Sequence, residues 1–187
     1  MMANRTAITN SLSDLVRKKL SNTCTFWAEE VSLDFGDARV DFMGFSPANI
    51  LQLGMCAAAI DKGSFSFYEV KSCMADFNSG YGKNFKGDEN YLVCERSLAD
   101  KLYQTGQLPP AVKVLVPNKP RTALIVAYDL SKAYGAWSRR TKSSGELLWN
   151  MINARKSNKV EIIEQGEEHE KEIADQEEET SSRTKSC

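Results

Sequence analysis

Histidine is almost missing from this sequence: its single copy, His169, lies in a Glu-rich stretch near the C-terminal end. The rest of the chain therefore has no imidazole for Ser-His-Asp or Cys-His catalysis, nor for a histidine-ligated zinc site. Cysteine is also sparse. Cys24, Cys56, Cys73, Cys94 and Cys187 are odd in number, and no two form a CxxC pair. Neither a disulfide framework nor a zinc ribbon is indicated, and the cysteines read as reduced thiols of a cytosolic protein. Long apolar runs are absent. The longest, near Leu53 to Ile60, is far too short to span a bilayer. Residues 1–10 lack the charged-then-apolar pattern of a signal peptide, so a cytoplasmic protein with no membrane partner is expected. There is no Walker A loop and no GxGxxG, which argues against the common nucleotide-binding folds. Hydrolytic chemistry would have to come from carboxylates, lysine and a hard metal.

What is present is enough for one globular core. The chain has 187 residues, 42% hydrophobic and 26% charged. Its formal net charge of −1 hides an asymmetry. Residues 157–187 hold ten acids against four bases, a net of −6. The first 156 residues then hold 20 bases against 15 acids, a net of +5. A mildly basic body with an acidic tail suits a polyanion partner. We place a folded domain at 1–156 and a disordered Glu-rich tail at 157–187, where apolar content collapses.

Hydrophobic spacing organises the body. Ser11–Leu20 predicts an opening helix, with Leu12, Leu15, Val16 and Leu20 on one side and Asn10 or Ser11 as cap. Phe26–Leu33 is a short apolar stretch interrupted by Glu29 and Glu30. Arg39–Phe45, Ser64–Ser72, Asn90–Glu95, Val112–Val116 and Ala123–Tyr128 predict strands. The last two are joined by a turn containing Pro117 and Pro120. Ser97–Thr105 predicts a helix with Ser97 as cap and Gly106 just beyond its end. Ser143–Ala154 predicts a final amphipathic helix, with Trp149 facing the core beside Leu147, Leu148 and Ile152. Ser46–Gly63 is a long connection, partly helical, and Asp76–Gly87 reads as a loop or broken helix. Alternating helices and strands imply an α/β class with a mixed sheet covered by helices.

Three residues carry the chemistry. Glu69 and Lys71 stand two apart in a strand and so project to the same side. Asp41 sits mid-strand in the preceding one, and pairing of the two strands would set it beside Glu69. Two readings fit. One is a solvated strand face with an ion pair. The other is a hard-metal site: carboxylate oxygens suit Mg²⁺, which binds phosphate oxygens and acidifies water, while the lysine orients that water or neutralises developing phosphoryl charge.

An Asp followed by ExK on the next strand resembles the hallmark of the PD-(D/E)XK nuclease superfamily. The runs VDFMGF, FYEVKSCMADF, SGYGKNFKGDENYLV and RRTKSSGELLWNMI resemble its small MmcB-like branch of bacterial and phage proteins, over roughly residues 24–156. The resemblance implies a restriction-endonuclease-like fold and metal-dependent DNA cleavage in repair, recombination or phage DNA processing, in a bacterial or phage-infected cell. It implies Asp41, Glu69 and the Val70 carbonyl as ligands of Mg²⁺ or Mn²⁺, with Lys71 catalytic. An additional acid from a first helix would be Glu30, with Glu29 as the alternative. The chain departs from the family pattern in having V-D rather than P-D, and no evident Gln on the helix after ExK.

A basic stretch completes the reading. Residues 101–156 hold ten Lys or Arg and only two acids. Arg139, Arg140 and Lys142 precede the last helix, and Lys83 and Lys86 come after ExK; all five are candidate phosphate contacts on DNA. Tyr134 and Trp137 lie beside the first group, where they either stack on bases or fill the core. The acidic tail either aids solubility or competes with DNA for the basic face, and it is a possible contact for a protein partner.

Overall fold

The computed structural model describes residues 2–33, 36, 38–54, 56–80, 85–131 and 140–155. The expected acidic tail, and with it the domain boundary at 156, lies outside them. Helix α1 (Met2–Thr23) leads into strands β1 (Phe26–Leu33) and β2 (Ala38–Ser46). Two short helices, α2 (Ile50–Leu53) and α3 (Ala57–Asp61), precede β3 (Ser64–Lys71). Then come α4 (Met74–Asn78), β4 (Glu89–Cys94), α5 (Arg96–Gln104), β5 (Lys113–Pro117) and β6 (Leu124–Asp129). A last helix, α6, covers residues 144–155.

The six strands form one mixed sheet in chain order, β1 to β6. The pairs β1–β2, β2–β3 and β5–β6 are antiparallel; β3–β4 and β4–β5 are parallel. Each parallel step needs a crossover, and α4 and α5 occupy those connections. Helices cover both faces. On one, Leu12, Val16 and Leu20 of α1 pack on Phe42, Tyr68, Val70, Tyr91, Val93 and Leu115. On the other, Leu147 and Met151 of α6 pack near Met43, Phe45, Phe65 and Phe67, and α5 lays Leu98, Ala99 and Leu102 on Leu92, Val114 and Val116. Every residue of β3 except Ser64 is buried. Phe65 and Phe67 are fully enclosed and contribute roughly 1.5–3 kcal/mol each. The α1 end of the chain comes so close to β2 that a Cβ on Gly44 would lie 2.7 Å from Leu20 Cδ2 and 2.6 Å from Cys24 Sγ, so a larger residue there would have to displace those side chains.

Four expectations change. Helix α1 begins at Met2 rather than at residue 10 or 11; no proline or glycine interrupts that stretch. The Phe26–Leu33 stretch is a strand, β1, because the β2 edge pairs with it along its length. Helix α5 starts at Arg96 with Glu95 in the cap position, two residues earlier than a Ser97 cap would set it, while Gly106 takes the expected left-handed φ of 64°. Trp149 is 59% exposed and Ile152 41% exposed, so the core stripe of α6 is Leu147 and Met151, with Leu148 and Ala154 partly buried beside it. No helix among the described residues is long and apolar enough to cross a membrane.

Candidate active site

Continuing the ladders of the first three strands brings Asp41 level with Glu69 on β3 and with Glu30 on β1. The β2–β3 ladder runs to Phe42 opposite Tyr68, so the next step places Asp41 opposite Glu69. In the β1–β2 ladder, Glu29 opposes Phe42 and Val31 opposes Val40, which leaves Glu30 opposite Asp41. Directly opposed residues share a face, with Cβ atoms about 5 Å apart. The described ladder stops at Phe42–Tyr68, and there the Val70 N–H donates to the Asp41 Oδ2 at 2.8 Å. Asp41 therefore substitutes for a backbone acceptor at the end of the ladder. The N–H and C=O of one extended residue point to the same side, so the Val70 carbonyl also faces the Asp41 strand.

Glu69 is fully buried and Lys71 is 5% exposed. This overturns the reading of a solvated strand face: Phe65 and Phe67 precede them on the same side and belong to the core beneath α6. Burial is the main influence on Asp41 and pushes its carboxyl above the ordinary range. The Val70 N–H, Lys71 and Arg39 oppose that rise, and Asp76 adds to it. Lys71 is thus close enough to Asp41 to act on it electrostatically.

The two candidate auxiliary acids separate. Glu29 turns to the α1 face, where Arg17 grips it with Nη2–Oε2 at 2.6 Å and Nε–Oε1 at 2.8 Å. It takes no part in the site. Glu30 is the register neighbour of Asp41, but it stands on a strand rather than on the expected helix. Its φ of 53° breaks the regular strand, and Arg39 Nε holds its carboxylate at 2.7 Å. Burial raises the Glu30 carboxyl; Arg39 opposes this, and Asp41 and Glu29 add to it.

Two participants went unread in the sequence. Arg39 stands two residues from Asp41 on the same strand side. Asp76 reaches backward: its Oδ2 accepts from Ser72 N at 3.0 Å and Ser72 Oγ at 3.1 Å. That fixes the residue directly after Lys71. The spacing S-x-x-x-D in SCMAD was the available signal.

The expected phosphate contacts lie elsewhere. Arg140 is a structural clamp: its guanidinium donates to Gly63 O (2.6 Å), Asp61 O, Asp88 Oδ2 (2.7 Å) and Ser144 Oγ (2.9 Å), and it lies over the Phe65 ring. Lys142 Nζ pairs with Glu146 at 2.5 Å. Each has only 18% of its side chain exposed and is engaged within the chain. Lys86 is exposed and lies just before β4. Lys83, Arg139, Tyr134 and Trp137 lie outside the described residues.

The GDEN segment belongs to the same clamp. Asp88 Oδ2 accepts from Phe65 N at 2.9 Å as well as from Arg140. Asn90 closes on Gly87 in both directions, accepting its N–H at 2.9 Å and donating to its carbonyl at 3.2 Å. A Cβ on Gly87 would sit 2.7 Å from Phe67 Cδ1 and 3.0 Å from the Phe65 carbonyl, so the turn requires glycine.

As a metal site the donor set is small. Among the described residues, no three His, Cys, Asp or Glu side chains form a group that could hold an ion. Asp41, Glu69 and the Val70 carbonyl are hard oxygen donors of the kind Mg²⁺ and Mn²⁺ accept with several waters retained.

Comparison with known proteins adds the fold alone. No protein-family model matches the chain, and no curated protein matches it. Among solved structures, the chain is similar to a protein of unknown function from Silicibacter pomeroyi. The TM-score is 0.53 at 16% identity, over 86% of this chain and 93% of that one.

Proposed function

We propose that this chain is a Mg²⁺- or Mn²⁺-dependent deoxyribonuclease of the PD-(D/E)XK type, on a restriction-endonuclease-like fold, acting in DNA repair, recombination or phage DNA processing. The observation that carries the reading is the Val70 N–H bonded to Asp41 where the β2–β3 ladder ends, which ties Asp41 to the strand that carries Glu69 and Lys71. Burial of these charges supports it. A fully buried Glu69 beside Asp41 is costly for a purely structural strand, and a low-dielectric carboxylate pair attracts a cation strongly.

In this reading Asp41, Glu69 and the Val70 carbonyl hold the divalent ion, which when bound polarises the scissile phosphate and acidifies a water. Asp41 is held in place by the Val70 N–H. Lys71 offers an ammonium to the attacking water or to the charge developing on the phosphoryl oxygens. Asp76 anchors Ser72 and so fixes the end of the strand that presents Lys71. Glu30 stands at the outer end of the carboxylate row, turned by Arg39.

The second reading is a non-catalytic nucleic-acid-binding module on the same fold. The small donor set among the described residues favours it. Cleavage of single-stranded, duplex and branched DNA with Mg²⁺, Mn²⁺ or chelator decides between them. The nuclease reading expects metal-dependent cutting that Asp41→Asn and Glu69→Gln abolish while remaining folded. Cutting that persists in both variants refutes the assignment. Metal-independent binding with no cutting leaves the binding module.

A further inference from the structure

The candidate site sits at one end of the sheet, and the sheet fixes which cations share that end. Lys71 lies level with Cys94 in β4. Since Val93 opposes Leu115, Cys94 lies level with Val116 in β5. The C-terminal ends of the parallel strands β3, β4 and β5 therefore coincide, and open α/β sheets bind ligands outside those ends. Arg39 stands at the same level on β2, by continuing the β2–β3 register two steps past Asp41.

Immediately beyond β5 comes the turn to β6. It is built around Asn118, whose Oδ1 accepts from Thr122 N at 2.8 Å and Ala123 N at 3.2 Å. Asn118 N also donates to the Ala123 carbonyl at 2.9 Å. Lys119 and Arg121 project from this fixed turn and are exposed. Arg121 has a φ of 54° and is tethered to Glu95 at 2.8 Å and to Ser11 Oγ at 3.0 Å. Glu95 comes directly after the last residue of β4 and Ser11 belongs to α1, so Arg121 is held at the end of β4 on the α1 side of the sheet. Two strand spacings separate β3 from β5, roughly 10 Å, about three base steps of a nucleic-acid strand.

Of the cations first expected to touch DNA, the described ones, Lys86, Arg140 and Lys142, are at the other end. Arg140 binds Asp61 and Gly63, which precede β3, and Asp88, which precedes β4. Lys86 and Lys142 belong to those same segments. The length of β3 puts them roughly 23 Å from Lys71.

We infer that a DNA strand lies along the C-terminal edge of β3–β5, with Arg39 holding phosphate on one flank of Asp41–Glu69–Lys71 and Lys119 and Arg121 on the other. The inference rests on the nuclease reading for where the scissile phosphate sits. Its contacts are to the backbone, so it predicts affinity without sequence preference.

The test is DNA binding by fluorescence anisotropy in chelator, so that no cutting intervenes, with a short labelled duplex across a salt series. Each lost phosphate contact lowers the slope of log K against log salt by about 0.9. Lys119→Ala with Arg121→Ala is expected to lower it by about 1.8, and Arg39→Ala by about 0.9. Lys86→Ala and Lys142→Ala are expected to leave it unchanged. Thermal melts accompany each variant; all three positions of the proposed track are exposed, so folding is retained. If the slope follows Lys86 or Lys142 and ignores Arg39, Lys119 and Arg121, the track is overturned while metal-dependent cutting still stands. If the wild type neither binds nor cuts DNA, the nuclease reading falls and the track falls with it.

Discussion

Neutralising Glu69 should stabilise the metal-free protein. Carried one step past its last pair, Phe42–Tyr68, the β2–β3 register brings Asp41 level with Glu69. At about 5 Å and an effective dielectric near 20, their repulsion is about 3 kcal/mol. Lys71, two residues and about 6.6 Å along the strand, returns about 2.5 kcal/mol to Glu69 under the same conditions. Those two effects nearly cancel. Desolvation then decides the sign, and for a fully buried carboxylate it is several kcal/mol against the charge. Glu69→Gln keeps the shape and removes the charge, for a net gain of about 2 kcal/mol at neutral pH. For a domain of this size that is a melting rise of roughly 4–8 °C. Lys71→Met does the reverse. It removes the ammonium beside two buried carboxylates and costs about 3–5 kcal/mol, roughly 10 °C or more. The assay is a thermal melt with and without Mg²⁺. Metal at a hundred times its dissociation constant should add about 2.7 kcal/mol to the wild type, and nothing comparable to Glu69→Gln. The reasoning is refuted if Glu69→Gln melts below the wild type without metal, or if both proteins gain equally from Mg²⁺.

The same geometry gives three further outcomes. The folded Asp41 carboxyl is raised by burial, so its contribution to stability is present below the unfolded carboxylate range and lost as pH rises through its folded value. Asp41→Asn should flatten the metal-free stability profile on that rise and converge with the wild type in acid; parallel profiles would contradict this. Arg140→Ala should cost about 2–4 kcal/mol in denaturant melts, because Asp88 loses its partner in a half-buried setting. Arg140→Lys should recover little of that, since an ammonium cannot reproduce the forked contacts. Trp149→Ala should change stability by less than about 0.5 kcal/mol, as expected for an exposed site. A large loss would mean that α6 packs through that face after all.

Periodicity exposed the sheet more fully than the helices. Five strands stand within a residue or two of where alternation and β-branched content place them. Strand β1 was hidden because Glu29 and Glu30 interrupt its pattern, and both are explained by tertiary partners that no local window contains: Arg17 of α1 and Arg39 of β2. The pairing of Asp41 with Glu69 was legible because strand register depends on a period of two and consecutive strands tend to pair. Trp149 was misread for the opposite reason. A helix rich in apolar residues offers several stripes, and only packing against Phe65 and Phe67 selects Leu147 and Met151. The role of Arg140 was not legible because charge along a sequence does not say that its partners are Asp88 and the carbonyls before β3.

The motif residues therefore divide into two jobs at the two ends of one strand. At the start of β3, Asp88 takes the Phe65 N–H while Arg140 ties Asp88 to the carbonyls before the strand, so segments about fifty residues apart lock together. At its end, Asp41 takes the Val70 N–H and Asp76 takes that of Ser72. Both ends of the central strand are thus capped by carboxylates on backbone amides. The strand between them cannot slide by one residue without breaking all three contacts and turning Glu69 to the α1 face. A strand locked at both ends can hold two buried charges, Glu69 and Lys71, at fixed separation from Asp41. Fixed separation is what a site of oxygen donors and one ammonium needs.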